Sequence, residues 1–203
     1  MTEREIPVVL ASGSPRRREL LDRLGLTAVI RPSEVDESPR EQESPSDLAR
    51  RVARAKAASV ATDSSFVVLA ADTVVSVGPR VFGKPSHRED ARQMLMSLSG
   101  RSHMVTTATV LRWLDREVCD LTVARVRFRP LCDEILSWYL DTNEWTDKAG
   151  GYALQGKGAL LVERIEGNVQ GVVGLPLALL PNLFTRAGLK LVRNGERLSL
   201  TVC

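Results

Sequence analysis

Two adjacent arginines follow a turn of serine and glycine near the start of the chain, where residues 12–17 read SGSPRR. A short apolar run, typical of a strand, precedes the turn, and Ser14 followed by Pro15 is typical of a helix start. Backbone N–H groups at a helix start attract anions, whereas Arg16 and Arg17 in the first turn oppose the helix dipole. They therefore indicate a bound phosphate chain, because guanidinium groups pair well with phosphate oxygens. The alternative is a turn that only connects a strand to a helix.

A carboxylate interrupts the most apolar stretch of the chain, where residues 67–75 read VVLAADTVV. A buried carboxylate costs free energy unless a partner pairs with it. We interpret Asp72 as a general base or a metal ligand at the sheet edge, with Thr73 beside it. The alternative is an aspartate at the end of a strand that accepts a hydrogen bond from a nearby backbone N–H.

Three further charged residues could act together with Asp72. Lys84 follows a predicted hairpin in the sequence GKP, and Lys56 lies at the border of the apolar face of a predicted helix. Glu37 lies in an acidic loop, and such a loop can hold Mg²⁺, which prefers a few carboxylates together with substrate phosphates. The alternatives are a lysine whose stem covers apolar surface and a loop that is only solvated.

Two glycine-rich segments follow in the second half of the chain. Residues 147–156 read DKAGGYALQG, and Gln155 offers the donor and the acceptor that match the N3–H and O4 edge of uracil or thymine. The alternative is a glutamine that is merely at the surface. Residues 167–177 read GNVQGVVGLPL, a loop before a helix with Pro176 in its first turn, which predicts a second helix start that attracts anions.

Composition narrows the classes of protein. The chain has 203 residues, 43% of them hydrophobic, which excludes global disorder. A net charge of +3 and a pI of about 9.0 fit a small polyanionic ligand as well as nucleic acid, but an aromatic content of 4% is poor for a single-strand binder. Because the chain has only two histidines, we expect no histidine-rich zinc site.

The expected cellular location rests on targeting and membrane-spanning signals. No signal peptide and no apolar run of membrane-spanning length is found, so we expect a cytoplasmic protein with no membrane partner. Cys119, Cys132 and Cys203 form no Cys-x-x-Cys pair and are interpreted as free thiols in a reducing compartment.

The elements that must position these residues alternate between strand and helix in the first half. Capping signals at Ser44 and in residues 86–89, and an opening at Pro176, predict three later helix starts. The second half has two long β segments, 103–113 and 121–129, a helix over 133–140, a strand over 160–165 and a C-terminal hairpin. The row of Arg125, Arg127 and Arg129 on the second segment is interpreted as a solvated face, with a track for a polyanion as the alternative.

Taken together, six short segments resemble the Maf family of nucleoside triphosphate pyrophosphatases. They occur in the family's order and span nearly the whole chain, and this ordered set is far more specific than any single segment. The matching segments are 12–17 (SGSPRR), 71–75 (ADTVV), 83–85 (GKP), 98–100 (LSG), 147–150 (DKAG) and 173–176 (VGLP).

The resemblance implies a fold and an activity. The fold is α/β, a single Maf-like domain over residues 1–203 with two lobes, a mixed and strongly curved sheet flanked by helices, and a deep cleft, related to the inosine triphosphate pyrophosphatases. The activity is hydrolysis of a nucleoside triphosphate to the monophosphate and pyrophosphate with a divalent metal cation, Mg²⁺ or Mn²⁺. By analogy with the family we expect a homodimer.

The resemblance also assigns roles by position. Asp72 matches the proton acceptor, with Lys84 beside it in catalysis, and Glu37 matches the acidic residue on the metal side, where Asp72 is the second ligand. Arg16, Thr73 and Gln155 match positions tied to substrate choice. The phosphate-binding set is Ser12, Ser14, Arg16, Arg17, Lys56 and Lys84.

Three positions favour the branch that prefers dTTP and UTP, including modified pyrimidine analogues that must be kept out of DNA or RNA. The 7-methyl-GTP branch typically has glutamate in place of Gln155, cysteine in place of Lys148 and often tryptophan in place of Arg16. A 7-methyl-GTP pyrophosphatase is the first alternative. The second is a non-enzymatic regulator of septum formation that binds nucleic acid or protein. The Asp72, Lys84 and Gln155 set argues against this regulator, and we expect no nucleic-acid partner.

Overall fold

Strands and helices alternate through the first half of the chain, and long antiparallel strands dominate the second half. The computed structural model describes residues 5–61, 63 and 65–203. The strands are β1 (Val8–Leu10), β2 (Ala28–Ile30), β3 (Val67–Val77), β4 (Arg80–Phe82), β5 (Ser102–Trp113), β6 (Arg116–Phe128), β7 (Val162–Glu166), β8 (Leu189–Asn194) and β9 (Arg197–Val202). The α-helices are α1 (Pro15–Arg23), α2 (Pro45–Ala58), α3 (Arg88–Leu98), α4 (Asp133–Asp141), α5 (Val169–Val173) and α6 (Leu180–Ala187).

Seven strands form one mixed sheet. Its order is β2-β1-β3-β5-β6-β7, and β4 pairs with the far end of β3. The first three strands are parallel to one another, and the remaining pairs are antiparallel. Strands β8 and β9 form a separate hairpin, as predicted. The predicted α/β class with a mixed sheet flanked by helices is therefore confirmed, whereas strong curvature and the domain limits stay predictions.

Strand β3 is shared by three apolar clusters, because successive side chains of a strand point to opposite faces of the sheet. The first cluster packs α1, α6 and β8 on one face, the second packs α3 and α4 further along the same face, and the third packs α2 on the opposite face. Val67, Leu69 and Ala71 belong to the first cluster, Val75 to the second, and Val68, Ala70 and Val74 to the third.

This alternation sets the directions of the two polar residues in the middle of β3. Asp72 lies on the face covered by α2, between Ala70 and Val74 of the third cluster. Thr73 lies on the opposite face, at the point where the first cluster ends and the second begins. The strand continues without a break through both residues, so the interpretation of Asp72 as a strand-end aspartate is wrong.

Several local predictions hold and others need correction. Ser44 Oγ accepts the N–H of Asp47 at 3.1 Å and caps α2 as predicted. The cap of α3 is His87, whose Nδ1 accepts the N–H of Asp90, so the predicted capping box beginning at Ser86 is wrong by one residue. Pro176 precedes a 3₁₀ turn, and α6 begins only at Leu180, so the helix predicted to open at Pro176 starts four residues later. The segment predicted as a loop contains the short helix α5.

Other surface features agree with the sequence. Arg125, Arg127 and Arg129 are exposed, so the row is a solvated face, and Arg127 pairs with Glu163 of β7. The three cysteines are free thiols. Among the residues that the structure describes, no helix has both the length and the apolar character needed to cross a membrane.

Candidate active site

One cleft of about 860 Å³ gathers the residues that the sequence singles out. The β1–α1 turn, the middle of β3, α2, the loop over residues 32–39, the end of the β3–β4 hairpin and the loop over residues 147–155 all contribute to its walls. The cleft is lined by all ten predicted site residues: Ser12, Ser14, Arg16, Arg17, Glu37, Lys56, Asp72, Thr73, Lys84 and Gln155.

Two lysines and two carboxylates form a charged cluster, by which we mean Glu37, Lys56, Asp72 and Lys84. Lys56 Nζ lies 2.6 Å from Glu37 Oε1 and 2.7 Å from Asp72 Oδ1, so one ammonium joins two carboxylates. Lys84 Nζ lies 2.8 Å from Glu37 Oε2. Lys56 and Asp72 are both buried, and their pairing offsets the cost of removing each charge from water.

The cluster keeps Glu37 ionised. Burial alone raises the pKa of its carboxyl, but hydrogen bonds from Lys56 and Lys84 outweigh burial and lower that pKa to about 2. Because Lys56 extends from α2 and Glu37 from the acidic loop, the pairing also fixes the loop against the helix. The interpretation of this loop as merely solvated is therefore wrong for Glu37.

Arg17 is buried and held by three protein groups. Its Nε donates to Gly174 O at 2.8 Å, Nη1 to Ser12 Oγ at 3.0 Å and Nη2 to Thr73 Oγ1 at 3.3 Å. Burial lowers its pKa, although guanidinium stays charged at neutral pH. Ser12 Oγ also accepts the N–H of Ser14, so the β1–α1 turn is closed by Ser12 rather than by a side-chain cap from Ser14.

Arg16 lies half-buried in the same cleft, and its side chain makes no hydrogen bond within the described part of the chain. Burial lowers its pKa, and the charges of Glu19 and Asp147 oppose that shift. Lys148 is affected in turn, since burial and the nearby Arg16 both lower its pKa. This side of the cleft therefore carries cations that are less completely paired than those of the charged cluster.

Gln155 lines the cleft and carries a buried acceptor. Its Oε1 is inaccessible to solvent and has no hydrogen-bond partner. We call residues 153–158 the glutamine loop. It is fixed at both ends, because Ala153 N donates to Tyr139 Oη at 3.1 Å and Lys157 N donates to Glu144 Oε2 at 2.8 Å.

A short backbone contact joins two of the motifs. Gly150 N donates to Gly83 O at 3.0 Å, which brings the DKAG segment beside the GKP segment. Gly150 has a φ of +71°, and a Cβ there would lie 3.1 Å from Val75 Cγ1. Only glycine meets both conditions without strain.

The carboxylates of the charged cluster suit a divalent cation. Glu37 and Asp72 already converge on one positive group, the ammonium of Lys56. No group of three or more histidines, cysteines or carboxylates suited to a metal occurs in the described part of the chain. Two carboxylates fit Mg²⁺, which commonly uses one or two together with phosphate oxygens and water.

Comparison with known proteins agrees with this arrangement. Residues 7–187 match the family model described as Maf-like protein. The chain belongs to the Maf family.

Relatives of this Maf-family chain carry one recurring name. A dTTP/UTP pyrophosphatase of Pyrococcus furiosus is 40% identical over 94% of this chain and 96% of its own length. One of Anaeromyxobacter dehalogenans is 48% identical over 91% of this chain and 95% of its own length. A HAM1 protein structure from Coxiella burnetii covers 61% of this chain and 73% of its own, with a TM-score of 0.42 and 17% identity, too low to argue a shared fold.

Five of the six Maf segments contribute to the cleft, and one does not. Residues 98–100 end α3 instead, where Ser99 Oγ accepts the N–H of Leu131 at 2.8 Å and Gly100 has a φ of +65°. The predicted anion-binding helix start at Pro176 is also wrong, because the cleft is lined by residues 172–174 and not by the start of α6.

Some residues that hydrogen-bond to the lining of the cleft lie outside the Maf segments and were not predicted from the sequence. Thr107 Oγ1 of β5 lies 2.9 Å from Thr73 Oγ1, and Tyr139 and Glu144 fix the glutamine loop. The available signal for Thr107 was a group of threonines within an otherwise apolar strand. No local pattern marks Tyr139 or Glu144, because their partners lie 14 and 13 positions away.

Proposed function

We propose that the chain hydrolyses nucleoside triphosphates, with dTTP and UTP preferred, to the monophosphate and pyrophosphate. The observation that carries this proposal is one cleft with a cluster of cations around Asp72 and a buried, unpartnered amide oxygen on Gln155. The relatives named dTTP/UTP pyrophosphatase, which match nearly the full chain, support it.

The cations bind the triphosphate. Arg16, Arg17, Lys56 and Lys84 all line the cleft and neutralise the phosphate chain, as well as the charge that develops during the reaction. Arg17 is held in place before the substrate arrives, whereas the two lysines are paired with carboxylates. Binding a triphosphate therefore shifts the lysines from carboxylate partners toward phosphate partners.

Asp72 activates the water. In the free protein Lys56 Nζ donates to Asp72 Oδ1, and we assign Asp72 Oδ2 to the attacking water. The water oxygen forms a bond to the α-phosphorus, the bond from that phosphorus to the bridging oxygen breaks, and pyrophosphate leaves. The proton released by the water passes to Asp72.

Glu37 and Asp72 would hold Mg²⁺ or Mn²⁺ together with phosphate oxygens. When bound, such a cation neutralises charge on the phosphates and on the leaving pyrophosphate. Lys84 pairs with Glu37 and lies on the other side of that carboxylate from Lys56. These lysines therefore also set how far Glu37 is available as a ligand.

Gln155 reads the base. Its unpartnered Oε1 accepts from N3–H of uracil or thymine, and its amide N–H donates to O4. Cytosine offers the opposite pattern at these two positions and guanine a larger ring system. A role in removing modified pyrimidine nucleotides, a cytoplasmic location and a homodimer remain predictions from the family resemblance.

The test is pyrophosphate release from UTP, dTTP, CTP, GTP and 7-methyl-GTP with Mg²⁺, Mn²⁺ or EDTA. We expect metal-dependent release from UTP and dTTP with the monophosphate as co-product. Release mainly from 7-methyl-GTP would contradict the role of Gln155. Release from none of them, together with salt-dependent DNA binding, would favour the regulatory alternative.

A further inference from the structure

A closed series of hydrogen bonds connects Arg17 to the C-cap and to the middle of α5. Arg17 Nε donates to Gly174 O, the C-cap of α5, and Nη2 donates to Thr73 Oγ1 on β3. Thr73 Oγ1 lies 2.9 Å from Thr107 Oγ1 on β5, and Thr107 Oγ1 donates to Gly171 O of α5 at 2.7 Å. We call these five residues the threonine ring.

The direction of each hydrogen bond in the threonine ring is fixed. A hydroxyl has one proton to donate, and that of Thr107 goes to Gly171 O. Thr73 must therefore donate its own proton to Thr107. The lone pairs of Thr73 Oγ1 are then free to accept from Arg17. Thr107 therefore determines the orientation of the Thr73 hydroxyl relative to the guanidinium.

Because its surroundings are buried, loss of the hydroxyl orientation at Thr73 would cost free energy. Thr107 is fully buried and lies directly opposite Thr73 in the sheet register, between the first and second apolar clusters. A buried carbonyl or hydroxyl without a partner is expensive in such a place. Gly171 brings its carbonyl close to the sheet, since a Cβ at that position would lie 2.6 Å from Thr122 Oγ1.

Arg17 keeps part of its binding capacity free. A guanidinium has five N–H donors, and the protein uses three of those of Arg17, on Gly174, Thr73 and Ser12. A long side chain loses rotamer entropy when it binds a ligand, and this loss is smaller if the side chain is already fixed. The threonine ring thus prepares the remaining donors for a ligand in the cleft.

We propose that Thr107 is a positioning residue that acts through Thr73 to orient the guanidinium of Arg17 toward the phosphates of the substrate. The inference deepens the proposed function and rests on it. It also gives a purpose to residues 167–177, in which the Gly174 carbonyl holds Arg17 and the Gly171 carbonyl holds Thr107, where the sequence predicted an anion.

The test compares Thr107→Val, which has nearly the same shape and no hydroxyl, with Thr107→Ser, which keeps the hydroxyl. We expect Thr107→Val to raise the KM for UTP about tenfold, since a displaced binding group is costly even when the change lies outside the cleft. Thr107→Ser should stay within about twofold of the unmodified protein. Equal impairment of both variants would mean that packing matters and the hydroxyl does not, and would overturn the proposal.

A double-mutant cycle shows whether Thr107 acts through Thr73. If it does, adding Thr107→Val to Thr73→Val should change kcat/KM by less than about twofold. If the double variant loses the product of the two single effects, the residues act independently and the proposal is wrong. Circular dichroism melting checks the fold of each variant. If Thr107→Val does not fold, Thr107→Ala, which needs less space, replaces it in the cycle.

Binding of inorganic tripolyphosphate provides a readout that does not require turnover. Calorimetric titration should show weaker binding to Thr107→Val and unchanged binding to Thr107→Ser. Equal binding to Thr107→Val and to the unmodified protein would overturn the role of Thr107. If the unmodified protein hydrolyses no nucleotide, the proposed function fails, and this titration still decides whether the threonine ring positions Arg17.

Discussion

The charged cluster and the glutamine loop line the same cleft but are prepared for a ligand in opposite ways. In the charged cluster, Lys56 and Lys84 already neutralise Glu37 and Asp72. In the glutamine loop, the backbone is held at both ends, yet Gln155 Oε1 is buried without a partner. The first region must exchange partners when a ligand binds, whereas the second gains a partner that it lacked.

This difference separates the strength of phosphate binding from selectivity for the base. Ion pairs within the charged cluster keep the free protein stable, and its lysines can pair with the phosphates of any nucleotide, whatever its base. A buried acceptor without a partner costs about 1–3 kcal/mol in the free protein and is satisfied only by a ligand with a donor at the right place. We therefore expect the charged cluster to control the rate and the glutamine loop to control the choice of base.

The largest expected effect is at Asp72. Asp72→Asn should lower kcat by about 10²–10⁴-fold, because the amide cannot take a proton from water, while nucleotide binding changes little. Steady-state kinetics and calorimetric binding of a non-hydrolysable UTP analogue measure the two effects. Asp120→Asn on β6, which lies outside the cleft, is the matched control. A near-normal kcat in Asp72→Asn would remove Asp72 as the base.

A smaller effect is expected for Gln155→Glu. A carboxylate accepts but cannot donate to O4, so kcat/KM for UTP and dTTP should fall about 10- to 100-fold while the phosphate contacts persist. Competition assays between UTP and CTP report the change in selectivity. Gln93→Glu on the exposed face of α3 introduces the same charge as a control. Unchanged selectivity would show that the base is recognised elsewhere.

The pH dependence of stability tests the charged cluster in the free protein. Since the folded-state pKa of Glu37 lies near 2, below its ordinary value of 4.5, its contribution to stability is present above pH 4.5 and is lost as pH falls toward 2. Glu37→Gln should therefore lower stability at pH 7 and flatten the decline over this interval. Urea unfolding of both proteins at several pH values measures the free energy of unfolding.

The control for the pH experiment is Glu163→Gln, which removes a carboxylate from an exposed ion pair outside the cleft. Surface ion pairs contribute little, so this variant should keep the stability profile of the unmodified protein. An identical profile for Glu37→Gln would mean that the lysines do not hold Glu37 in solution.

The smallest expected effect has the opposite sign. Gln155→Met removes the unpartnered oxygen and keeps a similar volume, so it should leave the free protein as stable or more stable by up to about 1 kcal/mol. The same substitution should abolish the preference for UTP over CTP. Thermal melting and the competition assay measure both. A clear loss of stability would mean that Oε1 has a partner in solution and that the contrast between the two regions is wrong.

Much of the fold follows from the sequence because it depends on local pattern. Alternation predicts the exposed row of Arg125, Arg127 and Arg129, and capping by Ser44 predicts the start of α2. The start of α3 is missed by one residue because His87 competes with Ser86 as a cap. The short helix α5 is missed because glycine-rich residues have little intrinsic preference for a helix.

The sequence predicts which residues line the candidate site, but it does not predict which of them contact one another. All ten residues singled out line the cleft. Seven of them lie in the ordered Maf segments, and the other three, Glu37, Lys56 and Gln155, were assigned by their positions relative to the family. The partners of Arg17 could not be predicted, since Gly174 lies 157 positions away in sequence. The pairing of Thr73 with Thr107 depends on the register between β3 and β5, which no local pattern fixes.

The proposed reaction requires that water, activated by Asp72, attacks the α-phosphorus. Hydrolysis of UTP in H₂¹⁸O, followed by mass spectrometry of both products, shows which phosphorus the water attacks. We expect one ¹⁸O atom in UMP and none in pyrophosphate. Label in pyrophosphate or in inorganic phosphate would place the attack at another phosphorus and contradict the assignment of the cleft.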